Sequence, residues 1–202
     1  AAEAAALLAP LPDDGRPRVA IHPGAGAFSP ARRWTPAGFA AVADGMTARG
    51  AHVVLVGRPG DGCADVRARC RLPVHDLAGR TDLPALAAVL AQVDVLVGND
   101  SGVTHLATAM GTPTVAVFGP SNAVAWGPWW PGTDTHGRPA PSPHRVVKLD
   151  LPCQPCLYVG HTLGSPAGCP TRDCLAWLPA DRVLAATVAV LAMPEATAAR
   201  AV

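Results

Sequence analysis

The sequence predicts an α/β domain built on a doubly wound, parallel β-sheet. Short runs rich in valine, each ended by glycine or a polar residue, alternate with segments of helical length. This alternation is typical of right-handed β–α–β units, whose strands run parallel. The composition agrees, since half of the 202 residues are hydrophobic but only 4% are aromatic, which favours tight packing of small side chains. That length is sufficient for one well-buried domain.

The elements follow one another in a regular order along the first 120 residues. Strands are expected at 16–22, 51–57, 73–79, 94–99 and 114–119. Helices are expected between them, at 35–50, after residue 62 to about residue 71, at 82–93 and at 101–111. The clearest punctuation belongs to the first of these helices, with Thr35 as N-cap, Pro36 at the first helical position and Gly50 after the end.

The two ends of the chain are less regular than its centre. Residues 1–15 are expected to form a linker or a helix remnant, since they lack the basic start of a signal peptide. Residues 120–145 carry three of the five tryptophans and are expected to form a long loop. A last strand is expected within 145–151, a cysteine-bearing loop over 150–177 and a C-terminal helix over 178–193. The whole chain, 1–202, is thus predicted to be a single domain.

Net charge argues against nucleic-acid binding, and hydropathy argues against a membrane-spanning segment. The formal net charge of +1 provides no broad basic field for nucleic acid, so no nucleic-acid partner is expected. The longest apolar run in the last third, LAATVAVLAM, is too short to span a bilayer, so no transmembrane segment is expected.

Polar residues cluster where three of the predicted strands end, and ligands of open α/β sheets bind at that edge. The first cluster is the loop HPGAGAFSPARRWTP. Gly24, Ala25 and Gly26 would let backbone amides approach an anion, and Arg32 or Arg33 could hold a diphosphate by forked hydrogen bonds. A solvated turn is the plain alternative. The loop contains neither the GxxxxGK[ST] pattern of P-loops nor GxGxxG.

The second cluster, GRPGDG, places Asp61 just after a strand. A carboxylate at this position can accept hydrogen bonds from both ribose hydroxyls, or it can cap the following helix. His22, at the end of the first strand, is expected to be a strand-end histidine bonded to backbone.

The third cluster lies in GNDSGVTHLATAMGTPTVAVFGP, residues 98–120. Core packing explains its apolar flanks but not Asp100, Ser101, Gly102 and His105. Asp100 could accept hydrogen bonds from sugar hydroxyls, and His105 lies one helical turn further on, within reach of the cleft. In the alternative interpretation, Asp100 or Ser101 is a plain N-cap and His105 is a packed core histidine.

The order of these motifs resembles glycosyltransferase family 9. The family signature runs acid, Ser or Thr, Gly, two variable residues and His-Leu-Ala, then Gly-x-Pro and Phe-Gly, and the matching segments are Asp100–Ala107, Gly111–Pro113 and Phe118–Pro120. The early loop is similar to a family motif of glycines, a basic residue, a variable residue and Trp-Pro. Arg32 matches its phosphate-contacting basic residue and Trp34 its tryptophan, with one extra residue before the proline.

This resemblance covers roughly residues 18–190 and implies a Rossmann-like domain, the C-terminal, donor-binding half of a GT-B enzyme. Members of the family transfer heptose from ADP-heptose to the lipopolysaccharide inner core, with inversion and without a required cofactor. Asp61 then takes the place of the family's ribose-binding glutamate. The family implies an acceptor site and a catalytic base in an N-terminal domain that this sequence lacks. The chain alone is therefore expected to be inactive, and no catalytic residue is assigned in it. The resemblance also implies a location in the cytoplasm or at the inner face of the membrane.

Two further interpretations belong to other classes of protein. The chain could be a non-catalytic module that binds a nucleotide sugar. An oxidoreductase of Rossmann type is disfavoured, because GxGxxG is missing after the first strand.

Four late cysteines follow the spacing C-x2-C-x12-C-x4-C, at Cys153, Cys156, Cys169 and Cys174. Four thiolates at such spacing could hold a structural zinc ion. Two disulfides or simply packed thiols are the alternatives, although disulfides are rare in the cytoplasm.

Overall fold

The structure is a computed structural model that describes residues 2–26, 29–133, 137–157 and 167–193. Its six strands are β1 (Arg18–His22), β2 (His52–Leu55), β3 (His75–Asp76), β4 (Val95–Asn99), β5 (Thr114–Val117) and β6 (Arg145–Val147). The α-helices are α1 (Ala2–Leu8), α2 (Pro36–Thr47), α3 (Cys63–Arg67), α4 (Leu83–Leu90), α5 (Gly102–Ala109), α6 (Ala123–Trp126), α7 (Asp173–Ala176) and α8 (Ala180–Leu191). A short 3₁₀ turn, Pro30–Arg32, precedes α2.

All six strands are parallel and form one sheet in the order β3-β2-β1-β4-β5-β6. This is the Rossmann strand order, so the predicted doubly wound α/β fold is confirmed. The order reverses between β1 and β4, where Ile21 pairs with Leu55 on one side and with Val97 on the other. A crevice opens at such a reversal, which places the candidate site next to the ends of β1 and β4.

Helices cover both faces of the sheet because successive strand residues point to opposite sides. On β1, Val19 and Ile21 pack with the face that carries α2, α7 and α8, whereas Ala20 packs with the face that carries α1, α4 and α5. Phe39 and Val183 are fully buried on the first face. Near-continuous burial of the strands explains why they read as unbroken valine-rich runs.

Several predicted boundaries differ from the observed ones. The first residues form helix α1, which packs against α4. The long loop 120–145 contains α6, and the cysteine-bearing loop contains α7. Helix α3 ends at Arg67, before the predicted end at Arg71, because the backbone N–H groups of Arg71 and Leu72 donate to the Asp44 carboxylate on α2. The predicted strand 73–79 shrinks to β3.

The remaining predicted elements agree with the structure to within a few residues. The helix expected over 178–193 is α8, and the strand expected over 145–151 is β6. Within the described ranges, no helix combines the length and the hydropathy that a bilayer crossing requires.

Candidate functional site

Asn99, the last residue of β4, holds the first loop in place at the carboxyl edge of the sheet. Its side chain is fully buried. Its Oδ1 accepts a hydrogen bond from the backbone N–H of Trp34 at 2.9 Å. Its Nδ2 donates to the carbonyls of Pro23 at 2.7 Å and Gly24 at 3.2 Å. This residue was not predicted from the sequence, although an amide directly after a buried apolar strand was a usable signal.

The glycines of the first loop serve different needs. A Cβ on Gly24 would lie 2.8 Å from both the Asp61 Cγ and the His22 Nε2, so crowding by these side chains requires glycine there. Gly26 has a left-handed φ of +68° with open space around its Cα, and it lines a cleft. Glycine at position 24 is therefore required by packing, and the approach of this loop's amides to an anion stays a prediction.

Arg32 and Asp100 form a contact between the first and third loops. The Arg32 Nη1 lies 3.3 Å from the Asp100 Oδ2, with the two side chains 19% and 6% exposed. The Arg32 Nη2 donates to the Ala25 carbonyl at 2.9 Å, which fixes the direction of the guanidinium. Arg32 and Asp100, which were predicted separately, thus form one partly buried ion pair. The pair lines a cleft, where a ligand can contact the positive guanidinium or the negative carboxylate.

Arg33 points away from this pair and toward the second loop. Its Nη1 donates to the Gly60 carbonyl at 3.2 Å, and its Nη2 lies 3.9 Å from the Asp61 Oδ1. Of the two arginines that the sequence offered for a diphosphate, Arg32 is the one that lines the cleft beside Asp100.

Asp61 is buried in the turn after β2. Its Oδ2 accepts a hydrogen bond from the Arg58 N–H at 2.8 Å and lies 3.6 Å from the His22 Nε2. The interaction with His22, followed by the Arg58 N–H, lowers the pKa of Asp61 to about 2, so the carboxylate is ionised at neutral pH. The N-cap of α3 is Gly62, so the interpretation of Asp61 as a helix cap is wrong.

The turn from β4 into α5 brings the other predicted residues to the same edge. Ser101 occupies the N-cap position without a side-chain capping bond, and its Oγ lies 3.4 Å from the His22 Nδ1. Asp100 precedes the cap, so the interpretation of Asp100 as a helix cap is wrong. His105 is exposed, so it is not a core histidine. His22 is buried, with its Nδ1 facing the Ser101 Oγ and its Nε2 facing the Asp61 carboxylate. The expectation that its ring bonds to backbone is therefore wrong.

Two adjoining clefts meet at Ser101 and Gly102. The small cleft has a volume of about 220 Å³ and is lined by Arg32, Asp100, Ser101, Gly102, His105, Ser121, Trp126 and Leu157. The large cleft has a volume of about 390 Å³ and is lined by His22, Gly26, Gly57, Arg58, Asp61, Thr81, Asp82, Leu83, Leu86, Ser101, Gly102 and Val103. The structure therefore brings most of the predicted site residues to the walls of these two clefts.

The sequence matches a known family over most of its length. A family profile described as glycosyltransferase family 9 (heptosyltransferase) matches residues 1–156. The chain belongs to glycosyltransferase family 9. The resemblance seen in the motifs is thereby confirmed.

Individual heptosyltransferases resemble different lengths of the chain. Lipopolysaccharide heptosyltransferase 3 of Escherichia coli is 37% identical over 101 residues, which are 48% of this chain and 30% of the relative. Lipooligosaccharide heptosyltransferase 2 of Campylobacter jejuni is 29% identical over 151 residues, 71% of this chain and 44% of the relative. The structure of E. coli ADP-heptose lps heptosyltransferase II superimposes with a TM-score of 0.64 at 27% identity, covering 94% of this chain and 51% of that one. The chain thus spans between about a third and about half of the length of these relatives.

The four late cysteines of this family 9 chain are free thiols that line one cavity of about 130 Å³. Burial and the neighbouring thiols raise the pKa of Cys174 to about 11. Across the described ranges, no group of three or more His, Cys, Asp or Glu side chains is arranged to hold a metal ion. Cys174 is buried and Cys156 is half-buried, whereas Cys153 and Cys169 are exposed, so the four thiols are only partly packed, and the structural zinc stays a prediction.

Proposed function

We propose that this chain is the donor-binding part of a heptosyltransferase and that it binds an ADP-linked sugar, ADP-heptose in the first place. The observation that carries the proposal is the meeting of two clefts at the start of α5, beside the Arg32–Asp100 pair, in a member of family 9. A nucleotide sugar has two unlike ends joined by a diphosphate, and the two clefts differ in the same way.

The large cleft suits the nucleoside. Leu83, Leu86 and Val103 provide an apolar wall for a base, as most nucleotide pockets do. Asp61 lines the same cleft with an ionised carboxylate, which can accept hydrogen bonds from ribose hydroxyls.

The junction of the clefts suits the diphosphate. Gly102 is exposed at the first turn of α5, where backbone N–H groups and the helix dipole favour an anion. Arg32 reaches the same place from the first loop, and its guanidinium can contact phosphate oxygens in a forked manner. The sugar would then lie in the small cleft, within reach of Asp100 and His105.

This arrangement supports an inverting transfer of the sugar to a glycan acceptor of the lipopolysaccharide type. The bond between the anomeric carbon and the diphosphate breaks as the acceptor oxygen attacks from the opposite side. Arg32 and the amides of α5 would stabilise the negative charge that develops on the departing diphosphate. The base that removes the acceptor proton is assigned to none of the residues in the two clefts, and we place it in the acceptor half of the enzyme.

Calorimetry on the purified chain tests this proposal. ADP-heptose and ADP should both bind, and UDP-glucose and GDP-mannose should bind more weakly because the base contacts differ. Titrations that give no heat with either adenine nucleotide at millimolar concentration would refute donor binding by this chain.

A further inference from the structure

The single helical turn α6 presents Trp126 to the small cleft. Asn122 caps this turn, since its Oδ1 accepts hydrogen bonds from the backbone N–H groups of Val124 at 2.9 Å and Ala125 at 3.3 Å. The backbone N–H of Trp126 donates a hydrogen bond to the Asn122 carbonyl at 2.9 Å. The turn therefore has a defined conformation although it is only four residues long.

The residue after Trp126 has to be glycine. A Cβ on Gly127 would lie 2.5 Å from the Ala123 carbonyl oxygen, which belongs to backbone and has little freedom to move. The chain thus leaves α6 with no room for a side chain at position 127. The Asn122 cap and the absence of a side chain at position 127 together define the backbone from which the Trp126 side chain projects.

The indole of Trp126 is a large apolar surface that the fold leaves partly uncovered. It lines the small cleft together with Arg32, Asp100 and His105, and 51% of the residue is exposed. The polar residues of that cleft can bind hydroxyl groups but offer nothing to the C–H face of a sugar ring. An aromatic face, which carries partial negative charge, attracts the partially positive C–H groups of such a ring.

We propose that Trp126 is a specificity-determining residue that packs against the non-polar face of the donor's sugar ring. This inference rests on the proposed function of the two clefts. Trp126 then distinguishes a nucleotide sugar from the free nucleotide, because only the sugar reaches the small cleft. Asp100 and His105 hold the hydroxyl groups at the ring edge while the indole covers one face.

Calorimetry of variants with ADP-heptose and ADP tests the inference. Trp126→Ala should weaken binding of ADP-heptose about five- to tenfold, the typical contribution of an aromatic stacking contact, and should leave binding of ADP within about twofold. Trp126→Phe should retain most of the affinity for ADP-heptose. Trp126→Leu keeps apolar bulk but has no aromatic ring, so it should lose as much affinity for ADP-heptose as Trp126→Ala.

Trp129→Ala is the matched control. Trp129 is 70% exposed in the same segment and is absent from the lining of the small cleft, so its replacement should affect neither ligand. Equal changes for ADP and ADP-heptose in the Trp126 variants, or no change in either, would overturn the role of Trp126 while donor binding stands. If the wild-type chain binds neither ligand, the proposed function fails first. Melting temperatures of all variants identify any that are unfolded, and the Phe and Leu variants then decide.

Discussion

Asp100 is the residue whose replacement best separates a sugar contact from a structural role. Its carboxylate pairs with Arg32 and lines the small cleft, and it does not cap α5. If it accepts hydrogen bonds from sugar hydroxyls, Asp100→Ala should weaken ADP-heptose binding by about 1.5–3 kcal/mol, the range for hydrogen bonds to charged groups. Binding of ADP should not weaken, because the loss of Asp100 leaves the positive charge of Arg32 free for the diphosphate. Calorimetry with both ligands, beside the melting temperature, makes the measurement.

The control for this variant is Asp65→Ala, which removes an exposed carboxylate on α3. It should leave both affinities and the melting temperature as in the wild type. Equal losses for ADP and ADP-heptose in Asp100→Ala, with a lowered melting temperature, would show that Asp100 supports the fold and not the sugar.

His144 makes the stability of the fold depend on pH. It is buried just before β6, with its Nδ1 3.0 Å from the Thr114 Oγ1, and burial followed by the charge of Arg145 lowers its pKa to about 4. Between pH 6.5 and pH 4 the unfolded chain therefore binds a proton at this residue that the folded chain does not. The free energy of unfolding should fall as the pH falls, by up to about 1.4 kcal/mol per pH unit.

Urea unfolding at pH 7.5 and at pH 5 measures this dependence. In His144→Gln the difference between the two pH values should shrink, whatever the stability of the variant at pH 7.5. The exposed His105, replaced by Gln, should leave the difference as in the wild type. An undiminished loss in His144→Gln would assign the acid sensitivity to other groups.

At the scale of elements, the first loop depends on β4 through one side chain. Replacing Asn99 by Ala removes three hydrogen bonds and leaves the Trp34 N–H and two carbonyls without this partner. The free energy of unfolding should drop by about 3 kcal/mol, as for other broken buried networks. Denaturant unfolding measures the loss, and hydrogen exchange at the Trp34 amide should accelerate.

Asn122→Ala is the matched comparison, because this asparagine only caps the partly exposed turn α6. It should cost about 1 kcal/mol, as for a typical N-cap. A loss for Asn99→Ala that is no larger than this would mean that the first loop is held mainly by other contacts.

Sequence periodicity predicted the elements that are long or deeply buried, and it missed those set by distant contacts. The valine-rich strands and the helix that starts at Pro36 were predictable because local pattern and burial agree. The end of α3 was not predictable, because the Asp44 carboxylate accepts a hydrogen bond from the Arg71 backbone N–H, 27 residues away along the chain. Helix α6 was hidden because one turn among glycines and prolines has no periodicity.

The candidate site was predictable to the same extent. A shared sheet edge follows from strand–helix alternation, so the convergence of the three loops could be predicted. The pairing of Arg32 with Asp100 could not, because it spans 68 residues and depends on the register of β1 and β4. The same holds for Asn99, whose partners become visible only once the first loop is folded against the strand.

At the scale of the whole molecule, we expect the chain to bind its donor without completing a transfer. We have placed the base and the acceptor site in the acceptor half of the enzyme, and the relatives are more than twice as long as the stretch that they share with this chain. Without a positioned acceptor, the gain from holding both reactants together is lost. Incubation with ADP-heptose and a core oligosaccharide should yield no heptosylated product by mass spectrometry.

Turnover by the purified chain would contradict this expectation and would place a base among the residues described here. Product formed only after a separate acceptor domain is added would support the division into two halves. Donor binding that no added domain converts into transfer would favour the alternative, a non-catalytic nucleotide-sugar module.

The two faces of the sheet are completed at different times during synthesis. The face covered by α1, α4 and α5 has all its helices once the ribosome has released residue 109. The opposite face has to wait for α8, which ends at Leu191 and supplies Val183 and Val190 to the core beside α2. For the 44 residues of translation between the end of β6 at Val147 and the end of α8 at Leu191 (191 − 147), β4, β5 and β6 lack the helix that packs on them from this face, and we expect chaperones to bind there.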